Sequence, residues 1–194
     1  MLVGFFVSNL CHLLSVLVLY RLLTITSVSR QRQQLSFVGA TLHILTPASL
    51  FFSAPYAEAL FSLLNLMGML LYAQSKATAD GRPPSLREDA LKLGSGMLFA
   101  VATMMRSNGL LSGLILLYDV ARYLPRIVSM QLTVHDLRRI VVTSVAGCFI
   151  IPGIVWPQYL AYEEFCTGSP RTETPPWCKS SIPSVYSWVQ SRYW

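Results

Sequence analysis

Between Gln34 and Lys76 the chain runs for forty-one residues with one formally charged side chain, Glu58. No ordinary soluble fold needs so long a stretch without charge, whereas a bilayer demands it. A charge near the bilayer centre costs at least about 2.5 kcal/mol, so a charge within such a stretch sits at an interface, in a wet cavity or in a site. Glu58 lies in the break Ser53-Ala54-Pro55-Tyr56-Ala57-Glu58, and a second isolated charge, Arg106, opens the break Arg106-Ser107-Asn108-Gly109. These two breaks are where chemistry is expected.

Further apolar runs make the protein an all-α polytopic membrane protein. With 53% hydrophobic and 12% charged residues, the 194 residues do not organise around a soluble core. The net charge of +6 does not indicate nucleic acid, because the Lys and Arg residues lie in loops and form no aromatic-interleaved basic face. About six transmembrane helices are expected, at 2–20, 35–52, 57–73, 91–105, 110–124 and 140–162. A helix needs about 20 residues to cross. The fourth and fifth runs are short and carry Gly94, Gly96 and Gly113, which leaves short spans, broken helices or a re-entrant pair open. Met1 to Tyr20 lacks the basic start and cleavage site of a signal peptide and reads as a retained span.

The loop charges orient these spans. If six alternate, Arg21, Arg30, Arg32, Lys76, Arg82, Arg87, Lys92, Arg122, Arg126, Arg138 and Arg139 share one side, eleven of the fifteen Lys and Arg residues. The positive-inside rule makes that side cytoplasmic. A single helix over 91–124 would reverse everything after it, but the turn signal Asn108-Gly109 opposes that reading. Residues 1–162 then form the transmembrane domain and 163–194 a lumenal loop. Gln74 to Leu91 reads as a cytoplasmic connector ending in a helix start, and Thr133 to Arg139 as an amphipathic helix resting on headgroups. Cys166 and Cys178 flank a polar, Pro-rich stretch, where a bridge would contribute about 3 kcal/mol in an oxidising compartment; two free thiols are the alternative. Cys11 and Cys148 fall within spans as small apolar side chains.

Each candidate residue has a structural reading beside a functional one. Ser53 can cap a helix, Pro55 suits its first turn, and Glu58 complements its dipole. Alternatively, Tyr56 and Glu58 face a lumenal cavity, where a phenol and a carboxylate bind sugar hydroxyls or assist proton transfer. Arg106 is either an interfacial snorkeller or a guanidinium gripping a lipid-linked phosphate. Asn108 is a sugar ligand or simply the turn residue before Gly109. His12 and His43 each lie alone on an apolar helix and read as packed, neutral histidines. His135-Asp136 has no companions at metal-ligand spacing, so no metal is expected. The chain also lacks a phosphate-cradling Gly-rich loop, a Gly-x-Ser-x-Gly elbow and a catalytic Cys-His signature.

Three stretches in order carry a resemblance. They are Pro47-Ala48-Ser49-Leu50-Phe51-Phe52-Ser53-Ala54-Pro55-Tyr56-Ala57-Glu58-Ala59-Leu60-Phe61, then Arg106-Ser107-Asn108-Gly109-Leu110, then Pro176-Trp177-Cys178 followed by Tyr186-Ser187-Trp188-Val189-Gln190-Ser191-Arg192-Tyr193-Trp194. Together they resemble the PIG-V family of GPI mannosyltransferases over nearly the whole chain. The resemblance implies a partial helical bundle of the GT-C type in the endoplasmic reticulum membrane. It implies an inverting glycosyltransferase that adds the second mannose of the glycosylphosphatidylinositol precursor, α-1,6, in the lumen. Dolichyl phosphate mannose is the implied donor and the GPI-precursor glycolipid the acceptor, with membrane lipids and a small membrane subunit as further partners and no cofactor. Tyr56, Glu58, Arg106, Asn108 and Gln190 become the substrate-binding candidates. The catalytic residue stays unassigned: GT-C enzymes place an acidic residue in a first lumenal loop, which here would precede Met1, and the chain reads as a fragment. A lipid or sugar transporter, or a truncated non-catalytic partner of the GPI machinery, are the alternatives.

Overall fold

A computed structural model describes residues 2–27, 32–45, 56–79, 81, 83–167, 175–180 and 183–193, and it is all-helical with no strand among them. The helices are α1 (Leu2–Thr26), α2 (Arg32–Ile44), α3 (Glu58–Ala79), α4 (Leu86–Met105), α5 (Gly113–Ala121), α6 (Leu124–Val128), α7 (Val134–Cys148), α8 (Ile150–Tyr162) and α9 (Val185–Tyr193). A 3-10 segment, Ser107–Ser112, joins α4 to α5, a π turn, Glu163–Thr167, follows α8, and a second 3-10 turn spans Pro176–Lys179. Among the described residues two stretches, Leu2–Thr26 with mean hydropathy 2.2 and Val134–Thr167 with 2.0, are long and apolar enough by themselves to cross a membrane.

Polar helix ends extend several elements beyond their apolar runs. The connector expected over Gln74 to Leu91 is far shorter, because α3 continues to Ala79 and α4 begins at Leu86. Ser85 caps α4 by accepting the Glu88 N–H at 3.2 Å, and Glu88 and Asp89 in the first turn complement the dipole. The fourth helix is thus 20 residues long, not a short run from 91. Gly81, with φ of +63°, takes a left-handed conformation in the α3–α4 connection, where a side chain would be strained. Similarly, Thr133 to Arg139 is not a separate surface helix. Thr133 and Asp136 form a reciprocal capping box that starts α7, which continues to Cys148.

The fifth run is broken. Arg106 ends α4 in an extended conformation, φ −145° and ψ 129°, and the 3-10 segment intervenes before α5. One helix over 91–124 is therefore excluded. Side-chain contacts then fix the directions. Ser15 meets His43 at 3.2 Å and Thr24 meets Ser36 at 3.2 Å, so α1 and α2 are antiparallel. Glu58 meets Arg106 and Lys76 meets Asp119, which places α3 antiparallel to α4 and the end of α5 beside the end of α3. Eighteen residues from Glu58 to Lys76 separate these two charged ends by about 27 Å at 1.5 Å per residue, close to a bilayer's apolar thickness.

Small residues let α4 sit at the centre. Phe99, fully buried, covers Gly68 of α3, where an added Cβ would lie 2.6 Å from the ring. Close by, Gly96 meets the backbone of Ala146 in α7, and Gly153 of α8 meets the Ala100 carbonyl. Phe99, Leu116, Ala146 and Ile150 form the core between them, with Met69, Tyr72 and Leu93 packed around it. Close backbone approach over small residues is how helices associate where lipid removes the hydrophobic driving force.

A Cβ at Gly96 would stand 2.3 Å from the Ala146 carbonyl oxygen and 2.8 Å from its Cα, so α4 and α7 must separate to admit it. Gly96→Ala is expected to lower stability by about 1–3 kcal/mol, the scale of overpacking. Gly147→Ala, with no atom within 4 Å of the new Cβ, is expected to be neutral or to stabilise the helix. Thermal unfolding of the detergent-solubilised protein compares the two.

Candidate active site

Glu58 occupies the first turn of α3, where its carboxylate faces the N-terminal end of the helix dipole. Four and seven residues on, along the same stripe, stand Ser62 and Asn65, at the i+4 and i+7 positions that bring side chains to one face. Across from this stripe Arg106 leaves the end of α4, its Nη1 donating to Glu58 Oε1 at 2.8 Å and its guanidinium lying 5.9 Å from the centre of the Phe61 ring. Glu58 therefore begins a helix and also fixes the one cation of the neighbouring break.

The 3-10 segment completes the wall. Gly109 presses against Thr103, where an added Cβ would stand 2.7 Å from its backbone nitrogen and Cα, so the turn after Asn108 can fold back on α4 with glycine there. Ser112 at the end of the segment donates to Asn65 Oδ1 at 2.6 Å. The result is a cleft of about 460 Å³ lined by Leu19, His43, Glu58, Phe61, Ser62, Asn65, Leu66, Arg106 and Asn108. It runs from the Glu58–Arg106 pair about two turns down α3, with α1 and α2 supplying Leu19 and His43.

Among the expected site residues, the structure brings Glu58, Arg106 and Asn108 together. Tyr56 is 63% exposed just before α3 and is not among the residues lining the cleft. The side chain of Gln190 lies outside the described residues, as do Ser53 and Pro55; α9, which carries Gln190, is tied to α8 by the Val185 N–H donating to Gln158 Oε1 at 3.1 Å. Cys166 and Cys178 are joined in a disulfide that closes the segment between the π turn and the second 3-10 turn, beside the buried Trp177.

Two features were read differently from the sequence. His12 and His43 are not isolated on their helices: their ring centroids are 5.4 Å apart, and His43 lines the cleft while its Nε2 meets Ser15 Oγ at 3.2 Å. Each histidine looks solitary because its partner is on a different helix, thirty-one positions away in sequence. Ser62 and Asn65 also line the cleft, though neither carries a charge that marks it in the sequence. The signal that finds them is the stripe Glu58, Ser62, Asn65, a polar face in helical register within an otherwise apolar run.

A carboxylate, a guanidinium, two amides and an imidazole line the cleft, groups whose chemistry can bind phosphate oxygens or sugar hydroxyls. The chain belongs to the family described as Mannosyltransferase (PIG-V), whose model matches residues 1–194. It is similar to GPI mannosyltransferase 2 of Aspergillus fumigatus, with 43% identity over 189 residues, 95% of this chain and 42% of that protein. GPI mannosyltransferase 2 of Chaetomium globosum is 38% identical over 206 aligned positions, covering all of this chain and 43% of the relative. GPI alpha-1,6-mannosyltransferase 2 of Cricetulus griseus is 30% identical over 183 residues, 82% of this chain and 33% of the relative. The chain spans less than half the length of these curated relatives. No solved structure matches it.

The Ser112–Asn65 bond joins the 3-10 wall to the floor, and Ser112 is buried. Asn65→Ala is expected to destabilise the protein by about 1–3 kcal/mol by leaving that hydroxyl without its partner. The double variant Asn65→Ala, Ser112→Ala is expected to cost less than the sum of the single ones, as a double-mutant cycle on thermal unfolding reads directly.

Proposed function

We propose that this chain forms part of a mannosyltransferase of GPI-anchor biosynthesis, one that transfers the second mannose in α-1,6 linkage to the GPI-precursor glycolipid. Membership of the PIG-V family and the names of its relatives support the reaction class and do not favour a transporter or a non-catalytic partner. Dolichyl phosphate mannose is the proposed donor, and the proposed setting is the endoplasmic reticulum membrane, crossed by about six helices. The antiparallel order of α3, α4 and α5, with charges collected at two ends about 27 Å apart, supports three of these passes.

The observation that carries the reading is the Glu58–Arg106 pair at the mouth of the cleft. A β-linked donor and an α-linked product require a single inverting displacement at the anomeric carbon. As the sugar–oxygen bond breaks, negative charge grows on the leaving dolichyl phosphate, and a guanidinium held in place by a carboxylate is suited to bind it bidentately. Phe61 beneath the guanidinium limits its movement further. Asn65, Asn108 and His43 offer donors and acceptors for sugar hydroxyls along the wall. The base that takes the acceptor's hydroxyl proton is assigned to no residue of this chain; Glu58 already serves as partner to Arg106 and is proposed to shape the site.

The pair is solvated, with side-chain exposure of 41% for Arg106 and 33% for Glu58, so its contribution to stability is at most about 1 kcal/mol. Its contribution to transfer is expected to be much larger. In the complete gene product, Glu58→Gln and Arg106→Gln are each expected to reduce mannose transfer about a hundredfold or more, the scale of losing an electrostatic stabiliser of the leaving group, at unchanged protein abundance. Rescue of surface GPI-anchored protein in cells lacking the second GPI mannosyltransferase provides the measurement. Failure of the unsubstituted complete product to rescue them would refute the reading.

Placing 163–194 in the lumen carries its own expectation. The Cys166–Cys178 bridge persists there, while Cys11 and Cys148 remain as thiols. Mass-tagging of denatured protein from membranes is expected to modify these two cysteines before reduction and all four afterwards, counting this chain's residues. Four tagged without reduction would place the segment in a reducing compartment.

A further inference from the structure

At the end of the bundle opposite the Glu58–Arg106 pair lies a larger pocket, about 580 Å³, walled by charged residues from α3, α4, α5, α6 and α7. Its floor is a closed ionic network. Asp119 accepts from Lys76 at 2.6 Å and stands 3.5 Å from Lys92; Glu88 accepts from Arg139 Nε at 2.9 Å and stands 3.9 Å from Lys92. Lys92, Glu88 and Asp119 are all buried, and their charges with that of Arg139 sum to zero. Arg139 also donates to the Ala79 carbonyl at 3.1 Å, anchoring the network to the end of α3.

The mouth does not balance. There Lys76, already paired with Asp119 of the floor, stands with Arg122 and Arg126, and the one further carboxylate of the lining, Asp136, already serves both the α7 cap and Arg126 at 2.9 Å. Over the whole lining, five cations oppose three carboxylates, an excess of two positive charges. The neighbouring charged residues outside the described set, Asp80 and Arg82, are of opposite sign. A satisfied floor beneath a doubly positive, solvent-open mouth differs from a network that merely neutralises itself: the floor fixes the positions of the cations, and the excess suits a dianion. Planar guanidinium groups beside an ammonium match the oxygens of phosphate.

We propose that this pocket binds an anionic phosphate group, a phosphate monoester or a diphosphate, on the membrane face opposite the glycosyl-transfer cleft. The ligand's source is either a lipid headgroup, which the position at a bundle end permits, or a soluble phosphate compound. The inference is independent of the mannosyl-transfer reading, since it concerns different residues at the other end of the bundle.

The complete gene product, purified in detergent, is titrated with inorganic pyrophosphate while its unfolding temperature is followed. In parallel it is reconstituted into phosphatidylcholine nanodiscs with and without phosphatidic acid. Four variants accompany it: Arg122→Gln, which breaks none of the ion pairs above, Arg122→Lys, Arg126→Gln, and Arg87→Gln, an exposed cation of the same end that does not line the pocket. Binding is expected as a ligand-dependent rise in unfolding temperature. Each pocket variant should weaken it by about tenfold, the loss of one charge-assisted contact, Arg122→Lys should restore most of it, and Arg87→Gln should match the unsubstituted protein. A response to pyrophosphate assigns a soluble source, and a response to phosphatidic acid alone assigns a lipid. No response to either, or equal weakening in Arg87→Gln, overturns the proposal. If one pocket variant fails to fold, the other decides.

Discussion

The cost of leaving a charge unpaired in an apolar medium sets the register of this bundle. A carboxylate or ammonium buried alone carries a penalty of several kcal/mol, which a close partner and further hydrogen bonds offset. Lys92, Glu88 and Asp119 are buried near helix ends, and each has an opposite charge from another helix or another turn within reach. Sliding α5 by one turn along α4 would carry Asp119 about 5 Å away from Lys92 and Lys76, leaving Asp119 and Lys76 uncompensated and Lys92 with Glu88 alone. The ionic network therefore fixes where α3, α4, α5 and α7 meet, and the lone pair at the far end, Glu58 with Arg106, inherits its alignment from the same constraint.

Between the two charged ends the bundle is held by close backbone contact. Gly68, Gly96 and Gly153 bring α3, α7 and α8 against α4, and Phe99 fills the space that Gly68 leaves. Such contact is rigid because backbone atoms cannot rotate away as side chains do. The rigidity bears on the cleft: Arg106 emerges from the end of α4, and Thr103, one turn earlier, receives Gly109 of the 3-10 wall. The position of the guanidinium relative to Glu58 is thus set by packing in the middle of the bundle as well as by their attraction.

Much of the fold was legible from residue patterns. Apolar runs located most of the helices, a helix start was expected at the end of Gln74 to Leu91, and Asn108-Gly109 marked the break between α4 and α5. Helix ends were underestimated wherever charged residues continued a helix past its apolar run, as at Leu86 and Val134, because hydropathy records the membrane's demand and not the backbone's hydrogen bonding. The site was legible as two suspicious breaks, Glu58 and Arg106, yet not as a contact. His43 and Asn65 escaped because their significance depends on neighbours from other helices: Ser15 and His12 for one, Ser112 for the other.

By itself the sequence determined that the protein is helical, where its isolated charges lie, and which family it resembles, since periodicity, apolar length and short motifs are properties of neighbouring residues along one chain. The tertiary structure alone decided that Glu58 and Arg106, forty-eight positions apart, are 2.8 Å from each other, that Lys76, Lys92 and Asp119 share a pocket, and that two distant histidines face one another. Those pairings depend on helix direction and register. Both are set by the joint requirement that small residues meet and that no charge is buried alone, a condition on the whole bundle that no local segment can express.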